Sequence, residues 1–224
     1  MSQIIKELKH HAPFTSFGAL TGILIMIVSI KMPRQISYNI FYVLHPIHVV
    51  LSALVTASIY KLHTCDHLTK KCIKGKCNLW VLLLIGYIGS IGIATLSDSI
   101  IPFLGEILLN MPNREIHLGF IEKWWLINPL AIIGVMFAYF KPTTKIPHAG
   151  HVLLSTWASL FHILMAAGGY LHWSSYIALF IFLFVAVWTP CCLSDIVFPL
   201  LFVKNKQSEN LQQKISLRKG SEGS

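Results

Sequence analysis

Carboxylates are scarce in this chain: nine Asp and Glu face eighteen Lys and Arg across 224 residues, and charged residues of both signs reach only 12% while 54% are hydrophobic. A soluble domain carries about a quarter of its residues charged, so this balance excludes one and points to a membrane. The first apolar run has no small-residue cleavage site after it, only Lys31-Met-Pro-Arg34, so it is expected to stay as a mature helix and not to be removed as a secretory signal. Its neighbours in sequence are equally apolar. The cysteines of the 61–78 loop follow no strict zinc-finger spacing, and nothing in the charge pattern calls for nucleic acid.

What is present is a set of apolar stretches at 14–30, 38–62, 79–97, 125–140, 148–170 and 173–190. Each is about long enough to cross a ~30 Å hydrocarbon layer at a rise of 1.5 Å per residue. Of the eighteen Lys and Arg, fourteen lie in the N-terminus, the 61–78 loop, the 141–147 loop and the tail after 203. The positive-inside rule then puts both termini in the cytoplasm of a multi-pass integral membrane protein, and the +9 formal charge lies along the anionic inner leaflet.

The chain also repeats itself. His-x-x-His-Val-x-Leu-Ser occurs at His45/His48/Ser52 and at His148/His151/Ser155. Leu-Ser-Asp-x-x-x-Pro-x-Leu follows at Ser97-Asp98 and at Ser194-Asp195, and a proline and glycine five apart precede both, Pro13/Gly18 and Pro129/Gly134. Three spanning segments per copy is an odd number, so the copies enter the membrane from opposite sides. The expected fold is an all-α integral membrane protein whose six transmembrane helices form two inverted-topology three-helix repeats. The divisions are 1–13, a cytoplasmic amphipathic N-terminus; 14–109, repeat one with a short interfacial helix; 110–124, an external linker; 125–203, repeat two; and 204–224, a disordered cytoplasmic tail.

Positions 45, 48, 52 and 56 (His, His, Ser, Thr) and 148, 151, 155 and 159 (His, His, Ser, Ser) step by 3, 4 and 4, which places each series on one helix face. Each stripe runs about 16 Å, roughly half the hydrocarbon depth. Two imidazoles and a carboxylate suit Zn²⁺, Fe²⁺, Mn²⁺, Co²⁺ or Ni²⁺. The metal ligands expected are His45, His48 and Asp98 on the outer side and His148, His151 and Asp195 on the inner side. Ser52, Thr56, Ser97, Ser155, Ser159 and Ser194 line the path. Accessory ligands are His63, Cys65, His67, Cys72 and Cys77 in a loop that reducing cytoplasm keeps free of disulfides, with Cys191 and Cys192 beside the inner half-site.

The plainer readings are specific. An intramembrane His or Ser can be a helix-to-helix hydrogen bond worth about 0.6–2 kcal/mol, Asp98 and Asp195 can cap helix starts, and a lysine-rich loop can be simply solvated. His162, whose repeat counterpart is Ile59, is packing or a single proton-handling group. Asp98, Glu106, Glu115 and Glu122, with His117, form an expected external acidic surface that attracts cations. Trp124-Trp125 is an interfacial anchor.

The leading function is a transporter or channel for a divalent transition metal, with proton coupling as an added option. The alternatives are a b-type haem redox protein and an intramembrane metal-dependent hydrolase or lipid-modifying enzyme. The partners are the bilayer and a metal cation or proton, and the chain is compatible with a homo-oligomer.

Overall fold

The computed structural model describes residues 2–64, 78–143, 145–192 and 198, with side chains described outside residues 2–11, 63, 145–148 and 192. All regular structure among these residues is helical: α1 (Ser2–Ser29), α2 (Arg34–Thr64), α3 (Leu79–Thr95), a π turn (Leu96–Ile100), α4 (Ile101–Leu108), α5 (Gly119–Glu122), α6 (Trp124–Phe140), α7 (Lys145–Ala166) and α8 (Trp173–Cys192).

By length and composition five described segments can cross a bilayer: Ala12–Ser29, Arg34–Leu62, Leu79–Leu108, Ala149–Ala166 and Trp173–Cys191. The remaining apolar helix, α6, has 17 residues and so reaches about 25 Å, short of a ~30 Å layer. Five helices, not six, therefore meet the length requirement. Large apolar side chains cover the outward faces, among them Phe14, Phe17, Leu24 and Val28 on α1 and Ile177, Ile181 and Val185 on α8. Water would penalise such a surface, and lipid would not. Exposed Trp80, Trp124, Trp125 and Trp173 stand at helix starts, where indole rings favour the membrane interface.

α2 and α7 form the centre. They run antiparallel, because Phe41 of α2 meets His162 of α7 at one end and Leu51 meets Gly150 toward the other. Small residues let the outer helices approach them. A Cβ on Gly134 of α6 would lie 2.5 Å from the Val50 carbonyl oxygen and 2.9 Å from Ala53, and one on Gly18 of α1 would lie 3.0 Å from Thr156 and 3.6 Å from Leu153. Val50 and Ala53 occupy the positions in the first copy that Leu153 and Thr156 occupy in the second. The repeated glycine therefore has one job in both copies: it packs the first helix of each copy on the middle helix of the other.

The repeated Leu-Ser-Asp-x-x-x-Pro phrase also has a local cause. Pro102 lacks an N–H and its ring would collide with the carbonyl of Asp98 in a regular α-helix. The chain widens instead into a π turn, in which the Ile101 N–H bonds to the Leu96 carbonyl. The expected interfacial helix at 99–109 is thus not a separate element: α3, the π turn and α4 run on as the single apolar stretch Leu79–Leu108.

Candidate metal centre

The π turn carries Ser97, Asp98 and Ser99 into the bundle, all fully buried. Skipping the regular bond leaves the Ser97 carbonyl free, and the Ser159 hydroxyl of α7 donates to it at 2.8 Å. Asp98 sits at the meeting point of α2 and α7. Its Oδ2 accepts from Nδ1 of His45 at 2.9 Å and of His48 at 2.7 Å. Its Oδ1 accepts from the hydroxyls of Ser97 and Ser155, each at 2.7 Å. Four donors meet one carboxylate, which is what a buried acidic group requires. The backbone is helical on both sides of Asp98, so its side chain serves other helices and is not a helix-start cap.

Pro46 stands between the two histidines within α2 and supplies no N–H to the Tyr42 carbonyl. The histidines, three residues apart, share one face, as the stepping pattern requires. His45 lies flat against Phe41, ring centroids 5.2 Å apart at 11°. On its other side Gly119 comes so close that a Cβ there would sit 2.8 Å from His45 Nε2. His48 and His151, which are repeat equivalents, meet near the middle of the bundle with nearly parallel rings, centroids 5.7 Å apart at 9°.

Two triads could hold an ion. In one, ligand atoms of His45, His48 and Asp98 lie within 4.8 Å of one another; in the other, those of His48, His151 and Cys191 do so, and every member is buried. His48 belongs to both. With its Nδ1 committed to Asp98, its Nε2 is buried and has no hydrogen-bond partner. A carboxylate holding one imidazole nitrogen while the other points to a metal is the usual support of a histidine ligand. Imidazole and thiolate together favour Zn²⁺ and its borderline neighbours over hard cations.

Of the ligands expected from sequence, His45, His48 and Asp98 come together, and His151 joins them through His48. Ser97, Ser155 and Ser159 belong to the same network, and Ser52 and Thr56 are buried farther along α2. The side chains of His63, His148 and Cys192, and residues Cys65, His67, Cys72, Cys77, Ser194 and Asp195, lie outside the described residues. The described residues of the two copies meet in one cluster, since Ser155 of the second copy bonds Asp98 of the first.

The external acidic surface needs correction. Asp98 and Glu106 are fully buried, because the helix that carries them packs against α7 and α8. Only Glu115 and Glu122 reach the rim, where Glu115 pairs with Arg34 and Glu122 accepts from the Tyr42 hydroxyl at 2.6 Å. The sequence reading also missed a second buried pair: His162 Nδ1 donates to Glu106 Oε1 at 2.7 Å. The signal was there, because His162 continues the stripe of Ser155 by two helical turns.

Comparison of the chain with protein-family models, with curated proteins and with solved structures finds no match.

Proposed function

We propose that this protein carries a divalent transition-metal cation, zinc in the first place, across a membrane through the buried cluster between α2 and α7. The observation that supports this most is His48, anchored at Nδ1 by Asp98 while its Nε2 faces no partner, and shared by two ligand triads. An ion held by His48, His151 and Cys191 has the His45–His48–Asp98 set as its neighbour, and it can enter that set once the Nδ1 protons held against Asp98 leave. Further buried polar residues lie on the same two helices, Ser52 and Thr56 on α2, the latter beside Gly89 of α3, and Ser155 and Ser159 on α7.

The inverted arrangement of two three-helix repeats, with α6 as the sixth span, is part of this proposal. It is supported by the matched packing of Gly18 and Gly134 and by the meeting of the equivalent residues His48 and His151. Under it, His148 and Asp195 supply the mirror half of the site.

The haem reading is disfavoured by close packing. Gly134 leaves no room for a Cβ against α2, and Gly119 leaves none against His45, whereas a porphyrin needs a broad gap between helices. The hydrolase reading gains one point from the single merged cluster. Against it, every described ligand is buried, which an ion tolerates better than a scissile bond does.

The test is elemental analysis and zinc titration of protein purified without chelator, followed by zinc flux into proteoliposomes. His48→Ala and His151→Ala should each lower retained zinc about tenfold or more, a loss of roughly 1.4 kcal/mol or above, while the fold persists. Normal zinc binding in both variants would reduce the histidines to packing groups. A Soret band in the purified protein would replace the proposal with the haem alternative, and zinc binding without flux would favour the enzyme.

A further inference from the structure

Beyond the ion cluster lies a second group of ionisable side chains. Glu106 of α4 and His162 of α7 are fully buried and bonded to each other, and His117 packs edge-on against His162 with ring centroids 5.4 Å apart. Each has a buried atom without a hydrogen-bond partner: Glu106 Oε2, His162 Nε2 and His117 Nε2. Three such atoms in one place are costly unless a mobile proton, or water bringing one, uses them. His117 Nδ1 in turn lies 3.4 Å from the half-exposed Glu122, which leads to the surface.

We propose that Glu106, His162 and His117 form a proton-binding site, loaded from the Glu122 end of the bundle, whose occupancy opposes that of the metal cluster. One phenyl ring separates the two: Phe41 touches His162 at 5.5 Å and His45 at 5.2 Å between ring centroids. A proton added to the pair repels a dication across that ring in a medium of low dielectric, where such repulsion is barely screened. Binding of the ion therefore expels the proton to solvent, and loading of the proton favours ion release. Among the described residues such a site exists at one end only. In the duplicated sequence His162 has Ile59 as its counterpart and Glu106 has Val203, so the coupling has a direction that the repeat lacks. The other ionisable groups around this site are Tyr38 against the His117 ring, Glu122 at the His117 Nδ1, Tyr42 bonded to Glu122, and Lys123 beside the two tyrosine rings. None of these joins Glu106 in a direct bond.

The coupling rests on the metal reading above, whereas the proton site itself does not, and the experiment separates them. Calorimetric titration of purified protein with zinc in two buffers of different ionisation enthalpy counts the protons released per ion. The parent should release about one proton more than Glu106→Gln, and the exposed Glu115→Gln should match the parent. Equal counts in parent and Glu106→Gln overturn the proposal. His162→Gln serves in its place if melting shows Glu106→Gln to be misfolded. If the parent binds no zinc, the metal reading falls and infrared difference spectra on acidification decide the proton site alone. A carboxylic C=O band that shifts in D₂O and disappears in Glu106→Gln supports it. No band in the parent, or an unchanged band in the variant, overturns it.

Discussion

Asp98 differs from an ordinary buried acid in having a full set of donors, two imidazole nitrogens and two hydroxyls. An amide in its place keeps the size but offers one acceptor oxygen and an NH₂ that can bond an imidazole only at an unprotonated Nδ1, which either moves that ring's proton onto the metal-facing Nε2 or turns the ring away. Asp98→Asn should therefore release His48 from its fixed orientation. Zinc affinity is expected to fall about tenfold or more, roughly 1.4 kcal/mol or above, with little change in melting temperature, because removal of a buried charge offsets the lost bonds. Zinc titration beside a thermal melt checks this, and unchanged affinity would leave Asp98 a structural bolt. At this scale much of the centre was legible in the sequence: the 3-4-4 stepping put His45, His48 and Ser52 on one face, and duplication marked Asp98. That Ser155 would bond Asp98 across copies was not legible, because stepping within a helix says nothing about which helix faces it.

Two elements owe their form to residues without functional groups. Pro102 opens the π turn, and replacing it restores an N–H that can bond the Asp98 carbonyl. Pro102→Ala is expected to stabilise the helix while turning Asp98 away from His45 and His48, so thermal stability should hold or rise as zinc binding falls. Retention of full zinc binding would show that the turn does not depend on the proline. The glycines separate packing from flexibility. A methyl group at Gly134 meets the Val50 backbone at 2.5 Å, whereas one at Gly92 meets nothing within 4 Å. Gly134→Ala should cost about 1–3 kcal/mol through overpacking, and Gly92→Ala should be neutral or stabilising by up to about 1 kcal/mol. Comparable melting temperatures for the two would contradict close packing of α6 on α2. The sequence placed the apolar helices well but ended one at the Ser-Asp pair. Polar residues there suggested a helix boundary, when a wide turn was carrying them inward.

For the whole molecule the lysine and arginine distribution predicts sidedness, which the packing alone leaves open. An impermeant thiol reagent applied to intact cells should leave Cys65, Cys72 and Cys77 unlabelled, and strong labelling would reverse the orientation and the proposed direction of proton loading. The arrangement of helices has a further consequence. α1 is seated on α7 and α6 on α2, so each half of the chain has its own first helix resting on the other half. Neither half alone can cover its glycine face, and the contacts that join the halves are spread over both of these faces and over the 110–118 segment, where Met111 enters the core and the Asn113 N–H bonds the Ala166 carbonyl. Two fragments divided there and co-expressed should therefore find each other and assemble, whereas either one expressed by itself should be degraded.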